Sequence, residues 1–412
     1  MLRPPLALGI DVGTSGVRAV VLDGDGAIAA EAAAPMPGGG GADAWWAATV
    51  AALKGLPLES VVAFAVDGTS GTLVAVNEAL EPVAPPSMYN ARCSPEILER
   101  IEAAAPPESG AHGATSALGR AIALQAVRPH RILHQADWIG ALLTGRIGPT
   151  DENNALKTGY DPVARRWPDW LKATGMDVGL LPDVVPAGSV IGRRPMPAAA
   201  RALGFAPGTA WVAGTTDGCA AFLASGAERP GDGVTSLGST LVLKLLSDRP
   251  VFVPQSGIYS HRIGDMWLAG GASNTGGAAL LQHFSAGQMR ALEQRLSPGR
   301  DTGLDYYPLA GIGERFPVND PAMSSRVEPR PDDDAAFLQG LLEGIAAIEA
   351  LGYRRLAEAG APRLATLRTA GGGAANRAWT DIRRRKLAVP FLPSFSEAAA
   401  AGTARLALRG LQ

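Results

Sequence analysis

Apolar residues fall in short blocks that are repeatedly closed by an acid, a glycine turn or both. Residues 6–12, LALGIDV, form one such block, and Arg18–Asp23, RAVVLD, the next. A Gly24-Asp25-Gly26 turn leads into AIAAEAAA, so these runs predict strands joined as a hairpin. Pro35–Gly41 reads as a loop, and Asp43–Leu53 as a helix with Trp45 and Trp46 near its start. Val61–Val66 predicts a buried strand closed by Asp67-Gly68-Thr69-Ser70-Gly71, with Thr72–Asn77 returning as its partner. Residues 98–104 and 117–143 have helical period, interrupted at Pro129. Residues 144–169 are polar and turn-rich, and Leu181–Gly192 is a Pro/Gly loop.

The second half repeats this logic. Ala210–Ala213 predicts a strand leading into GTTDGCAAFLASG, where a helix starts. Val234–Leu237 and Leu241–Leu246 are strands around the tight turn Gly238-Ser239-Thr240, and Ile258–Leu268 holds further strand material. Gly270–Gly277 is a glycine turn opening a helix at 278–284. Asp333–Ala359 predicts a long amphipathic helix stopped by Gly360. Leu367–Ala370 is a strand into GGGAANRAW, and Ser396–Leu408 a final Ala-rich helix. Two halves of strand–turn–strand and strand–glycine–helix elements predict an α/β protein of two domains facing each other across a ligand cleft.

Composition narrows the function classes. A chain of 412 residues, 47% hydrophobic, has material for two cores. The net charge of −2 gives no electrostatic footprint for nucleic acid or an anionic membrane. Cys93 and Cys219 are the only cysteines, which argues against a disulfide scaffold and for a reducing, cytoplasmic setting. The N-terminal MLRPPLALGIDVG reads as a buried strand rather than a leader, and the Ala-rich stretch 196–203 as a helix former rather than a membrane span. His130 and His134 have i, i+4 spacing, but no metal-binding pattern accompanies them, so the histidines are expected to be polar surface or cap residues.

No Gly-Lys dipeptide occurs, which excludes a P-loop. Phosphate handling then falls to other glycine turns, whose backbone N–H groups point at anionic oxygens. Asp11-Val12-Gly13-Thr14-Ser15-Gly16 is the first, with Arg18 following, and its acid is a candidate Mg²⁺ ligand. Gly238-Ser239-Thr240 copies it in the second half. Gly371 to Asn376 is the third, where Asn376 and Trp379 are placed to bind and stack on adenine. Each turn alone is also an ordinary hairpin or helix start. Asp217 lies where a strand passes into a helix, facing the positive end of the helix dipole, where it would accept a proton from a substrate hydroxyl or simply cap the helix. Ser70 and its neighbours offer hydroxyls suited to a polyhydroxylated substrate. Trp45, Trp46 and Tyr89 are either cleft packing or sugar platforms.

Taken together, these motifs resemble the FGGY carbohydrate kinases. LGIDVGTSGVRAVVLD resembles the family's opening phosphate motif, TDENNALKTGYDPVARRW its TDxSNA segment, LLPDVVPAGSVIG its LPxVxxxGxxxG stretch and AGTTDGCAAFLASGA its GxxDxxA motif. VTSLGSTLVL, LRTAGGGAANRAW, GERFPVND and EAAAAGTARLAL resemble the second phosphate motif, the adenosine motif, the GERxP segment and the C-terminal helix. Within the family, VDGTSGTLVAV, MYNARC and AGGASNTGG look closest to the D-ribulose kinases of cyanobacteria and plants, also described as xylulose-kinase-like.

The resemblance implies two actin-like (ribonuclease H-like) domains. The sugar-binding domain would comprise 1–224 with the C-terminal helix 398–412, and the ATP-binding domain 225–397. It implies a ketopentose kinase, D-ribulose first, with D-xylulose and other pentuloses or pentitols as alternatives, using ATP and Mg²⁺. Asp217 would be the base, assisted by Asp11. Thr14, Ser15, Gly16, Val17, Arg18 and Ser70 would join these acids around the sugar and the phosphoryl group. Gly238, Ser239, Thr240, Gly277, Gly372, Gly373, Ala374, Ala375, Asn376 and Trp379 would hold ATP. One departure stands out. Met88-Tyr89-Asn90-Ala91-Arg92 replaces the W-x-D-x-R of xylulose and glycerol kinases and lacks its acid. The expected partners are the sugar and ATP, without nucleic acid or membrane, as monomer or homodimer. An actin-like ATPase acting on protein partners shares the fold class and is distinguished by sugar-independent ATP consumption. A nicotinamide oxidoreductase is disfavoured because no GxGxxG with an acid about twenty residues on stands out.

Overall fold

A computed structural model describes residues 6–38, 40–193 and 197–411. In chain order, the first elements are β1 (Leu6–Val12), β2 (Gly16–Leu22), β3 (Ile28–Pro35), α1 (Ala42–Leu53), β4 (Val61–Gly68), β5 (Leu73–Val76), α2 (Pro95–Ala104) and α3 (Ala117–Leu124). β6 (Arg131–His134), α4 (Gln135–Thr144), β7 (Thr150–Asp151), α5 (Glu152–Leu156), α6 (Trp170–Ala173), β8 (Val184–Val185), β9 (Val190–Arg193) and α7 (Ala198–Ala202) follow. Then come β10 (Ala210–Val212), β11 (Thr215–Thr216), α8 (Asp217–Ala224), β12 (Asp232–Leu237), β13 (Leu241–Ser247), β14 (Tyr259–Ile263) and β15 (Met266–Ser273). The last are α9 (Gly277–Leu281), α10 (Ala286–Glu293), α11 (Asp334–Glu358), β16 (Thr366–Ala370), α12 (Arg377–Leu387) and α13 (Ala399–Arg409).

The chain divides into two compact units. One comprises Met1–Ala224, His261–Gly264 and Ala398–Gln412, the other Ser225–Ser260 and Asp265–Glu397. In the first, β3-β2-β1-β4-β10-β9 form one sheet, with β11 pairing to β4. β1 runs antiparallel to β2 and parallel to β4, and β10 is parallel to β4. β1 is buried from Ala7 to Val12, which matches an unbroken apolar run covered on both faces. α13 covers one face at backbone contact: a Cβ at Gly9 would lie 2.0 Å from Ala400 O, and one at Gly402 1.9 Å from Ala220 O. Only glycine permits that approach, and it fixes α13 against both β1 and α8.

The second sheet has the order β14-β15-β13-β12-β16. β12 is antiparallel to β13 and parallel to β16, as β1 is to β2 and β4. Each unit thus repeats one plan: a strand, a short turn, an antiparallel return, and a parallel strand on the other side. α11 carries much of this core, from Phe337 to Leu356. By length and composition α11 would pass as a membrane span, but 83% of its apolar window is buried inside the protein.

Several expectations differ from the structure. Residues 117–143 are not one interrupted helix: Arg131–His134 is the strand β6, paired with β5, so Thr72–Asn77 returns to β6 and not to Val61–Val66. Ile132 and Leu133 are apolar and buried in this pairing, and His130 N completes the ladder by donating to Val76 O. His134 is consequently not a surface residue. It is 1% exposed and bonded to Asp137, Thr150 and Thr158. The glycine run 270–277 is not all turn, since β15 continues to Ser273, but a helix opens at Gly277 as expected. The stretch 196–203 is helical over Ala198–Ala202, its first residue lying outside the described residues.

Candidate active site

In the first unit the parallel strands bring three acids to adjacent carboxyl ends. Asp11 and Asp67 are register partners on β1 and β4, and Asp67 is also paired with Thr215 of β11. Two residues beyond Thr215, Asp217 opens α8, and Gly218 N donates to its Oδ1 at 2.6 Å. Asn153 on α5 anchors β11 by donating from Nδ2 to Thr215 Oγ1 at 3.0 Å. Asp217 therefore sits on a strand-to-helix passage that is pinned from behind, at the N-terminus of α8.

Asp67 is fully buried, and Thr403 Oγ1 of α13 donates to its Oδ2. Burial, then the neighbouring charge of Asp11, raises its carboxyl well above the usual range. Burial raises the Asp11 carboxyl too, against the pull of the Asp67 side chain beside it, and the charge of Asp217 adds to the rise. Arg18, mostly exposed, stands 4.0 Å from Asp11 and also favours its carboxylate. The sequence reading placed Asp67 only in a polar turn. Its signal was an acid closing the apolar run VVAFAV.

Thr14 and Ser15 are exposed beyond β1, and the Ser70 hydroxyl is buried with no hydrogen-bond partner. A hydroxyl left in that state is costly unless a ligand engages it. Beside these residues lies a cavity of 330 Å³ lined by Gly13, Thr14, Trp45, Thr69, Met88 and Gln135, among others.

In the second unit a cavity of 630 Å³ is lined by Gly238, Ser239, Gly277, Gly372, Gly373, Ala375, Asn376 and Trp379. The three glycine turns meet because Gly277 N donates to Gly238 O at 2.9 Å, and Gly371 packs on Leu237. Glu314 of the GERFP segment holds the turn after β15, accepting from Ser273 Oγ at 2.5 Å and Asn274 N at 2.7 Å. Leu280, Met289 and Leu342 give the cavity apolar walls, with Arg290 and Glu293 beside them. The apolar part suits a flat heterocycle and the glycine turns an anion chain.

Residues 233–411 match the model of the FGGY family of carbohydrate kinases, C-terminal domain. That C-terminal stretch belongs to the FGGY family of carbohydrate kinases. A xylulose kinase of Escherichia coli (strain K12) is 26% identical over 91% of this chain and 83% of its own. A crystal structure of a xyloylose kinase from Brucella ovis superposes with a TM-score of 0.85 at 22% identity, covering 98% of this chain and 90% of that one. A gluconate kinase from Lactobacillus acidophilus gives 0.83 at 17% identity, covering 99% and 89%. These structures share the two-domain actin-like fold, and proteins named for different sugars carry it. The C-terminal match and these likenesses are all to sugar kinases.

Some site residues lie apart from where the sequence placed them. Val17 is 1% exposed within the core, because β2 alternation turns it inward while Arg18 faces out. Its side chain cannot touch a sugar. Trp379 does not present an open stacking face: it is 3% exposed, its ring 2.7 Å from the point where Gly373 would carry a Cβ. It is the floor beneath the glycine turn. Asn376 Oδ1 accepts from Trp379 N at 2.7 Å as the α12 cap, leaving its amide N–H groups for a ligand. Thr240 and Ala374 adjoin the second cavity's turns without lining it. Trp45 packs edge-to-face with Trp138, is 2% exposed, and lines the smaller cavity. Tyr89 is exposed.

Proposed function

We propose that this kinase transfers the γ-phosphoryl group of ATP to the terminal C5 hydroxyl of a ketopentose, D-ribulose in the first place, with D-xylulose and other pentuloses or pentitols as alternatives. The observation that carries this reading is Asp217 on the first turn of α8, following the strand paired with the β4 end, whose Asp67 is the register partner of Asp11 and whose turn holds the unpartnered Ser70 hydroxyl. Asp217 takes the proton as the hydroxyl oxygen attacks phosphorus and the bond to the ADP oxygen breaks. Ser70, Thr14 and Ser15 orient the sugar, and Arg18 favours the charged form of Asp11. The glycine turns at Gly238, Gly277 and Gly372–Gly373 hold the phosphates, and Asn376 with the apolar walls holds the adenosine.

Magnesium fits the same picture. No group of three or more His, Cys, Asp or Glu among the described residues forms a metal cage. An ion carried mainly by phosphate oxygens and water needs only one or two carboxylates, and Asp11 would supply one. When bound, the ion neutralises charge on the phosphates. The curated relatives named as xylulose kinases support a pentulose. The missing acid in Met88–Arg92 and the VDGTSGT and MYNARC segments favour D-ribulose among them.

A coupled ADP-release screen over ketopentoses, hexuloses, pentitols, gluconate and glycerol tests the substrate class. Asp217→Ala is expected to lower the sugar-dependent kcat by roughly a thousandfold. Unchanged turnover removes Asp217 from the mechanism, and ATP consumption that ignores every sugar favours an ATPase acting on protein partners.

A further inference from the structure

Gln135 was silent in the sequence, yet it opens α4 directly after β6 and packs against the end of β4. It is 1% exposed and lines the 330 Å³ cavity. Its carbonyl Oε1 accepts from Thr69 N at 2.9 Å and from Thr69 Oγ1 at 2.9 Å. A backbone N–H can only donate, so the orientation of the amide is settled: Oε1 faces Thr69 and Nε2 faces away. Both side-chain hydrogen bonds go through Oε1, which leaves Nε2 to the cavity. Space for this arrangement comes from Gly68, where a Cβ would lie 2.9 Å from Oε1. The locking Thr69 is itself tied to Thr72, 2.6 Å between hydroxyls. The result is a rigid group that gives protons and takes none, on a wall shared with Thr14, Trp45 and Met88.

That valence has a chemical consequence. A 2-ketopentose whose C5 hydroxyl is free to attack phosphorus cannot have closed its ring, because furanose closure consumes the C5 oxygen. The reacting sugar is the open-chain ketone, and its C2 carbonyl oxygen accepts hydrogen bonds without donating any. We propose that Gln135 Nε2 donates to this carbonyl oxygen and so selects the open-chain ketose over the pentitol, which carries a hydroxyl at C2. The inference rests on the kinase reading above and adds a specificity residue to it. Gln135 takes no part in proton or phosphoryl transfer.

Gln135→Glu keeps the shape and the acceptor for Thr69 while replacing the donor by a second acceptor. Gln135→Met removes the donor without adding charge, and serves if the glutamate variant does not fold. KM and kcat are measured by coupled ADP release for D-ribulose, D-xylulose, ribitol and D-arabinitol with wild type and both variants. In each folded variant the ketose KM is expected to rise about ten- to a hundredfold. Its kcat should change much less, and the ketose-to-pentitol ratio of kcat/KM should fall at least about tenfold. A merely structural role would weaken ketose and pentitol alike, so an unchanged ratio overturns the assignment. Wild-type enzyme that phosphorylates a ketose while the ratio stays fixed condemns Gln135 alone. Wild-type enzyme that phosphorylates none of these sugars overturns the function and this inference with it.

Discussion

Gly402→Ala is the sharpest probe of how the scaffold places Asp217. An alanine methyl there would lie 1.9 Å from Ala220 O and 2.7 Å from Ala224 N, where real contacts stay above 3.0 Å. Both obstacles are backbone atoms of α8, so no side chain can rotate aside. α13 cannot retreat toward the sheet either, because Gly9 already brings β1 to backbone contact with Ala400 and Ala404. The movement of more than 1 Å must fall on α8, whose first residue is Asp217. In an open helix, glycine to alanine stabilises by about 1 kcal/mol. Here overpacking against backbone costs about 1–3 kcal/mol, so the sign reverses. A misplacement of about 1 Å near a reacting group costs on the order of a hundredfold in rate. Urea denaturation and sugar-dependent ADP release measure the two effects. Gly311→Ala, where nothing lies within 4 Å, serves as the neutral control. A Gly402→Ala protein as stable and as active as wild type would refute the argument that this glycine contact fixes the acid.

Two further outcomes follow from buried charge. Burial, then the charge of Asp137, pushes the Asp151 carboxyl up to about 7, against the pull of hydrogen bonds from Asn154 and Asn153. Its folded value exceeds the unfolded value near about 3.9, so its stabilising contribution is whole below about pH 4 and lost as pH rises through 7. The Tm of wild type should therefore fall relative to Asp151→Asn between pH 5 and 8, and parallel curves would contradict this. In the second unit Arg383 and Glu349, both fully buried, are joined by paired hydrogen bonds of 2.7 Å. Arg383→Met alone should cost about 3–5 kcal/mol by stranding Glu349, and Arg383→Met with Glu349→Leu should recover most of it. Equal loss in the single and double variants would show that the pair itself stabilises α12 against α11.

Much of this was legible in the chain because apolar runs that stop at an acid or a glycine mark strand ends. β1, β4, β12 and β16 all announced themselves in that way, and so did Asp11, Asp217 and the glycine turns. What stayed hidden depends on register and on contacts far apart in sequence. RILH was read as helix because four residues carry too little period to tell strand from helix, and only pairing with β5 decides it. Asp67 looked like a turn residue until the parallel register set it opposite Asp11 and α13 brought Thr403 to it. Gln135 gave no signal, since its role is set by Thr69, 66 residues away. Trp379 was misplaced because a tryptophan after a glycine turn reads alike whether its face is open or covered.

The duplicated turn shows how one device serves two charges. In the first unit the strand ends in Asp11-Val12 and the turn continues Gly13-Thr14-Ser15. In the second it ends in Ser236-Leu237 and continues Gly238-Ser239-Thr240. Both turns place glycine at the strand's carboxyl end, and both offer hydroxyls. They differ in the residue before the last strand position, an acid in one and a serine in the other. A carboxylate beside phosphates would repel them unless a cation intervened, whereas Ser236 brings no charge. The neutral copy adjoins the 630 Å³ cavity whose glycine turns suit a polyphosphate. The acidic copy stands among Asp67, Asp217 and the exposed hydroxyls of Thr14 and Ser15, where an uncharged, proton-rich ligand is the better match. Under the proposed function, charge at this one position would separate a sugar site from a nucleotide site within the same strand–turn–strand plan.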